Sequence, residues 1–324
     1  MSIDFSSTRP AFPQAFSFDG ETVRFQPLAS YTWSAKIKIH EYGDHIPTLY
    51  GMPGEPFETS VQIGKRSVSL LKSNLQKCTR RQDEGRAIRT ALAMYSYDPN
   101  EVLRRLPIIQ IEDCLPNPDG LLRLVWWMCA VSKGYVMSKE EVESMLGILA
   151  TMCESPSYEV FDSRCRAKTV LDWSSHPEAS FFWALEIRKI YGGMECDKKM
   201  LSYHQELWME RFKQRDQWNL EQDRYQVDID SVDPLSKDDI LLESIDYHCF
   251  TWIPQKIADK YPNLTLDVIK TCIWMCRSRT NLRKPLNQEV FQPISTAMEQ
   301  NYHGFAEDLQ GLTQWLRGKL NLKD

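Results

Sequence analysis

"SKEEVESMLGILATMC" (residues 138–153) sets the expected fold class, because two independent helix signals coincide in it. Ser138 and Glu141 match a capping box, in which two side chains satisfy backbone N–H groups at the start of a helix. Apolar side chains then recur at helical spacing, at Val142, Met145, Leu146, Leu149, Met152 and Cys153. That period predicts an amphipathic α-helix with one buried face.

Similar signals lie on both sides of this stretch. "DPNEVLRRL" (98–106) opens with Asp98 as N-cap and Pro99 at the first helical position, and Pro107 is expected to limit that helix. "HPEASFFWALEIRKIYGG" (176–193) predicts a helix that begins near Pro177 and ends before a glycine pair. Helical periods therefore dominate from about residue 65 onwards.

The N-terminal region has a different pattern. Asp19 and Gly20, between two short β-prone runs, predict a type I′ hairpin turn. Strict alternation in "YTWSAKIKIH" (31–40) places four side chains on one strand face: Trp33, Ala35, Ile37 and Ile39. Residues 43–56 hold three glycines and three prolines and are interpreted as loop. The predicted fold class is mainly α, a multi-helix bundle-like array with a small β-containing N-terminal region.

Three segments are expected along the chain. They are an N-terminal β/loop region at 1–64, a helical domain at 65–225 and a C-terminal helical region at 236–324. An acidic, turn-prone linker, "QVDIDSVDPLS" (226–236), separates the last two and ends on a new N-cap, Ser236. The final apolar stripe is Phe305, Leu309, Leu312 and Leu316. This stripe is expected to pack within its own chain, with a partner helix as the less favoured alternative.

Composition excludes several protein classes. Of 324 residues, 42% are hydrophobic and 26% charged, which is ordinary for a globular protein and excludes wholesale disorder. The chain shows no leader sequence, and its nine cysteines lack framework spacing, so we expect free thiols and an intracellular location, cytoplasmic or nuclear. The longest apolar run (121–131) contains Arg123 and is too short to span a bilayer, so no membrane association is expected.

Motifs for enzymatic chemistry are weak. "GKRS" (64–67) lacks the earlier glycine and the Ser or Thr after lysine that a phosphate loop needs, and no G-x-S-x-G elbow occurs. A zinc set of His248, Cys249, Cys272 and Cys276 lacks a C-x2-C pair, and its later cysteines lie on an apolar helical stripe with Ile269 and Ile273. We therefore expect no metal and no cofactor.

A basic region is the main functional signal. Between residues 65 and 105 the chain has ten Lys or Arg and four Asp or Glu, although its net charge is −5. Such asymmetry is typical of an anion-binding face, and phosphate contacts are the expected use. The predicted nucleic-acid-binding residues are Lys72, Lys77, Arg80, Arg81, Arg86, Arg89, Arg277, Arg279 and Arg283. The alternative is a solvated helix surface that pairs with the chain's own acids.

Residues 75–114 resemble a segment in the helical C-terminal region of clamp-loader-like AAA+ ATPases of the RarA/MgsA group. The residues that match are Leu75, Gln76, Lys77, Arg80, Arg104, Arg105, Leu106, Glu112 and Asp113. This chain has no ATPase module, so the resemblance implies an α-helical assembly or DNA-associated module and transfers no active site. A free-standing protein of this type would fit a viral or phage source.

The leading functional hypothesis is a non-enzymatic accessory protein of DNA replication or repair, with DNA and a protein partner as its expected partners. A second hypothesis is a structural or scaffold protein that self-associates into an oligomer through helical faces and aromatic surfaces. A third and weakest hypothesis is an enzyme whose site is assembled from distant residues. Glu112, Asp113 and His248 are the first suspects for that site.

Overall fold

The computed structural model describes residues 11–39, 45–59, 68–156, 172–213, 226–284, 296–298 and 300–320. Its strands are β1 (Ala15–Phe18), β2 (Val23–Arg24), β3 (Trp33–Lys36) and β4 (Thr48–Gly51). Its helices are α1 (Val68–Arg80), α2 (Glu84–Tyr97), α3 (Pro99–Asp113), α4 (Pro118–Val131), α5 (Lys139–Glu154), α6 (Ala179–Ile190), α7 (Glu195–Phe212), α8 (Ile253–Ala258), α9 (Leu266–Ile273) and α10 (Phe305–Gly318). The predicted fold class, mainly α with a small N-terminal β region, is confirmed.

The chain forms two compact units, each built from separate stretches of sequence. Unit 1 comprises Met1–Phe57, Leu103–Thr151 and Glu159–Val227. Unit 2 comprises Glu58–Val102, Met152–Tyr158 and Asp228–Asp324. The chain thus passes from unit 1 to unit 2 inside the acidic 226–236 stretch. The division of the chain into three segments, which the sequence predicts, stays a prediction.

Unit 1 contains a four-stranded sheet in the order β2-β1-β4-β3. A hairpin at Asp19 and Gly20 is present, with Phe18 paired to Val23. The predicted type I′ turn is wrong, because the loop holds four residues and only Gly20 of the two has a positive φ. The predicted alternation is also confirmed, since Ile37 and Ile39 are buried while Lys36 and Lys38 are exposed.

The interpretation of residues 43–56 as loop is wrong for β4. Its four residues run parallel to β1 and antiparallel to β3, in the middle of the sheet. A strand this short between prolines gives no periodic signal, and its pairing is non-local. Gly51 ends it beneath Trp126, where an added Cβ would lie 2.8 Å from the indole ring. The glycine therefore allows a close approach that a side chain would block.

Helix α4 covers this sheet with the buried indoles of Trp126 and Trp127. The Trp127 indole N–H donates to the buried carboxylate of Glu141 at 3.0 Å, and the Tyr135 hydroxyl donates to the same oxygen at 2.8 Å. The second carboxylate oxygen accepts the backbone N–H of Ser138 at 2.8 Å. The predicted capping box is thus present, and it also satisfies the polar atoms of the aromatic core.

The expectation that Pro107 limits its helix is wrong, because α3 continues through it to Asp113. Proline removes one backbone hydrogen bond and weakens a helix. Here the apolar residues on either side, including Leu106 and Ile108, are fully buried, so packing outweighs local propensity. Within the described ranges, no helix combines the length and apolar character that a membrane-spanning segment needs.

Unit 2 packs α1 and α2 against the 3₁₀ turns Lys237–Asp239 and Leu242–Ser244. Asn74 of α1 is fully buried and joins these elements. Its amide donates to the Asp239 carbonyl at 3.0 Å, and its oxygen accepts from the Leu241 N–H and the Ser244 hydroxyl, each at 2.9 Å. In α10, Phe305, Leu309 and Leu316 are buried, which confirms packing of that stripe within its own chain.

Candidate functional site

The candidate site lies in unit 2, where residues 242–249 meet a π-helical turn, Trp274–Ser278, that continues α9. A π turn holds one residue more than an α turn, and such turns are frequent at functional sites. This turn presents consecutive residues to different surroundings. Ser278 is buried and donates its hydroxyl to Asp246 at 2.9 Å, whereas Arg277 lines a cavity.

Asp246 is the buried centre of a polar cluster. Its carboxylate lies 3.4 Å from the Lys77 ammonium and accepts the His248 backbone N–H at 2.8 Å. The same carboxylate also contacts the Nδ1 atom of His248, at 3.1 Å. Burial alone would raise the pKa of Asp246, but the hydrogen bond from His248 and the charge of Lys77 outweigh it and hold that pKa below its usual value.

On a helix, Asp246 and His248 would point away from each other, because residues two apart do not share a face. Here their side chains are in contact. The two residues lie in a turn, so the carboxylate can orient the imidazole. The ring itself is exposed and lies against Tyr247, with ring centroids 4.1 Å apart. Beside it, burial raises the pKa of the Cys249 thiol to about 12, so this thiol is protonated near neutral pH.

The expectation that the basic residues of α1 face outward is wrong for Lys77 and Arg80, whose exposures are 4% and 3%. Lys77 faces Asp246, and Arg80 donates to the Ser278 carbonyl at 3.0 Å. The apolar period of α1 did not reveal this, because the partners lie far away in sequence. These two side chains stabilise the interior of unit 2 instead of presenting charge to a polyanion.

Other predicted cations also have acceptors within unit 2. The ion pairs are Lys72 with Glu101, Arg81 with Glu243, Arg86 with Asp83 and Arg89 with Asp239. Arg89 donates from two nitrogens to one Asp239 oxygen, and hydrogen bonding to the paired carboxylates raises the pKa of Arg86 and Arg89. These arrangements correspond to the alternative in which the cations pair with the chain's own acids.

Arg283 binds helix ends. Its guanidinium donates to the carbonyls of Met152, Cys153 and Ser155 at the end of α5, and to that of Thr79 in the last turn of α1. The last carbonyls of a helix have no partner inside the helix, so one side chain here satisfies two termini. Arg279 is exposed and contacts the Met275 sulfur at 3.2 Å.

Arg277 is placed differently from the other predicted cations. It lines a cavity of about 510 Å³ within unit 2. Apolar residues form part of the described lining, namely Leu242, Met298, Phe305 and Leu309, and polar residues on it include Glu243, Tyr302 and Gln310. The backbone carbonyl of Arg277 accepts a hydrogen bond from the Arg81 guanidinium at 3.1 Å. The Arg277 guanidinium itself donates no hydrogen bond to any residue that the structure describes.

Charges of both signs surround Arg277. Burial lowers the pKa of Arg277, the nearby Glu243 carboxylate opposes that shift, and the like charge of Arg81 adds to it. Glu243 lies 3.9 Å from a nitrogen of Arg81, so this carboxylate is shared between two guanidinium groups, and Glu307 also lines the cavity. A partly desolvated guanidinium beside an apolar wall is suited to bind a carboxylate or a comparable anion.

Other suspected groups are placed as follows. Glu112 and the buried Asp113 belong to unit 1, and His248 belongs to unit 2. Among the described residues, no three His, Cys, Asp or Glu side chains gather in an arrangement that could hold a metal ion. The side chain of Cys276, a member of the rejected zinc set, lies outside the described residues.

The charge of Arg277 was visible in the sequence, but the cavity was not. The described lining of the cavity comes from residues 242, 243, 272, 277, 298, 302–307, 309 and 310. Nor did the sequence show that distant carboxylates pair with the basic region, such as Asp239, which lies 150 residues beyond its partner Arg89. The resemblance of residues 75–114 to an AAA+ helical region stays a prediction. No protein-family model, curated protein or solved structure matches this chain.

Proposed function

We propose that this protein is a non-enzymatic binding protein, and that the cavity in unit 2 takes an anionic small molecule with an apolar body. The observation that carries this proposal is the guanidinium of Arg277, which lines the cavity and donates no hydrogen bond to any described residue. Burying a guanidinium is costly unless it is paired, and a bound anion would supply an acceptor beyond those of the described residues.

The size and lining of the cavity support the chemical class of the ligand. A volume of about 510 Å³ lies within the range of roughly 300–1,000 Å³ that is usual for small-molecule sites. Leu242, Phe305 and Leu309 offer an apolar surface, and polar side chains that include Glu243, Tyr302 and Glu307 complete the lining. Such a site favours a ligand that buries a hydrophobic body and places one charged group against Arg277.

Two hypotheses from the sequence receive less support. A phosphate-binding helical surface needs available cations, whereas Lys77, Arg80 and Arg283 are engaged by acceptors of unit 2. Burial raises the pKa of the Cys249 thiol, beside the Asp246–His248 pair, to about 12, which does not favour this thiol as the nucleophile of an enzyme. We therefore propose neither as the function.

The proposal is tested by titrating the protein with 8-anilinonaphthalene-1-sulfonate, which combines a sulfonate with two aromatic groups and fluoresces in apolar sites. The Arg277→Met variant should weaken binding of this probe by about tenfold or more, the usual effect of losing hydrogen bonds to a charged group. Arg279→Met is the matched control, because it removes the same charge at an exposed position two residues away. This control should bind the probe as the unmodified protein does.

Circular dichroism and thermal unfolding establish that both variants are folded before they are compared. Equal affinities of the unmodified protein and Arg277→Met would contradict the proposal. So would equal losses in Arg277→Met and Arg279→Met, since that result would indicate a general charge effect and not the cavity.

A further inference from the structure

Helix α10 carries an outward row of residues that is complementary to itself. Its buried face includes Phe305, Leu309 and Leu316. On the solvent-facing surface, Glu307, Gly311, Trp315 and Lys319 follow one another at intervals of four residues, and all four are exposed. Lys319 directly follows the helix and keeps right-handed helical dihedral angles, so it continues the row.

On this row the Trp315 side chain projects outward, and Gly311 leaves a recess. Trp315 is 56% exposed, which is a large apolar area for a helix surface. Gly311 has no side chain, and a Cβ added to it would meet no atom within 4 Å. The backbone of α10 is therefore open to close approach beside an exposed indole.

We infer that this row is a self-association surface, and that it pairs antiparallel with the same row of a second copy of the chain. Aligning Trp315 of one copy with Gly311 of the other places the second Trp315 against the first Gly311, as two-fold symmetry requires. The same alignment sets Glu307 of each copy opposite Lys319 of the other. Apolar fit and charge complementarity thus specify the same register.

The geometry follows a common class of helix packing. Rows of residues four apart form ridges, and two such rows interdigitate when helices cross at about −50°. One short row on each copy buries less than the roughly 1,200 Å² below which interfaces are weak and transient. The expected dimer is therefore reversible and depends on protein concentration.

Sedimentation equilibrium over a range of about 1–300 μM tests the inference, since weak interfaces dissociate in that range. The unmodified protein should shift from monomer towards dimer across it. Gly311→Leu should abolish the shift by filling the recess. This variant should also fold normally, because leucine favours an exposed helix position over glycine and the space around position 311 is open.

Exchanging the charges of Glu307 and Lys319 provides a second test of the inference. Lys319→Glu should weaken the dimer by placing two carboxylates together, and Glu307→Lys combined with Lys319→Glu should restore it with the charges reversed. A protein that is monomeric at every concentration would overturn the inference, as would a dimer that Gly311→Leu leaves unchanged. Because Glu307 also lines the cavity, Arg277→Met serves as a control that should lose the probe and keep the dimer.

Discussion

The carboxylate of Asp246 lies 3.4 Å from the ammonium of Lys77, although 169 residues separate them in sequence. This pair explains why a strongly basic helix belongs to the interior of unit 2. Each charge is expensive to bury alone, and each is tolerated because the other is present, together with the Ser278 hydroxyl.

Asp246→Ala is predicted to destabilise unit 2 by about 3–5 kcal/mol, because it leaves the charge of Lys77 buried without its carboxylate. Adding Lys77→Met should recover part of that loss, since the uncompensated charge is then removed. Urea unfolding of the two single variants and the double variant measures the coupling. Strictly additive losses would contradict the assignment of this pair.

Acidification is predicted to weaken the protein. Burial raises the pKa of Asp246 and of Asp239, but in both the hydrogen bonds and ion pairs outweigh burial, so both pKa values in the folded state lie below the usual value. The unfolded chain then takes up protons first, near the ordinary aspartate pKa of about 3.9. The stabilisation is therefore complete above that pH and is lost as the pH falls through it towards the folded-state pKa.

Urea unfolding at a series of pH values from about 6 down to 2.5, which brackets the ordinary aspartate pKa, measures this dependence. Asp246→Asn should be less stable at the upper end and should lose less stability on acidification. A variant whose pH dependence equals that of the unmodified protein would show that Asp246 does not contribute to it.

Arg283→Met is predicted to destabilise unit 2 by about 2–3 kcal/mol, because carbonyls at two helix ends lose a charged donor. Arg283→Lys should recover only part of this loss. A lysine keeps the charge but cannot reach carbonyls of α1 and α5 together with a planar fork. Full stability in the lysine variant would mean that charge alone, and not the donor geometry, is required.

In unit 1, Glu141→Gln is predicted to cost about 1–3 kcal/mol, because an amide offers one acceptor where three donors converge. Those donors are the Trp127 indole, the Tyr135 hydroxyl and the Ser138 backbone N–H. The matched control is Glu140→Gln, at an exposed neighbouring position whose carboxylate hydrogen-bonds only at the start of α5, and it should cost less than Glu141→Gln. Similar losses in both variants would contradict this role of Glu141.

Local signals in the sequence predicted local structure well. The capping box at Ser138, the alternating strand at Trp33 and the glycines after α6 each depend on residues that are close in sequence, and each is present. The failures were non-local. Strand β4 is defined by its pairing with β1, and Pro107 stays in a helix because of the packing around it.

The site was the least predictable part for the same reason. The charge of Lys77 and the charge of Arg277 look equivalent in the sequence, but one is buried against a carboxylate and the other lines a cavity. That distinction depends on Asp246 and on the π turn, neither of which a count of local charges includes. Basic composition therefore predicted where cations occur and not which of them is available to a ligand.

The central claim is that Arg277 selects an anionic ligand with an apolar body, and calorimetry with octanoate and 1-octanol tests it most directly, since the two molecules share a chain and differ in charge. The unmodified protein should bind octanoate about tenfold or more tightly than octanol, and Arg277→Met should bind both with similar affinity. An unmodified protein that binds neither molecule, or binds both equally, would contradict the claim.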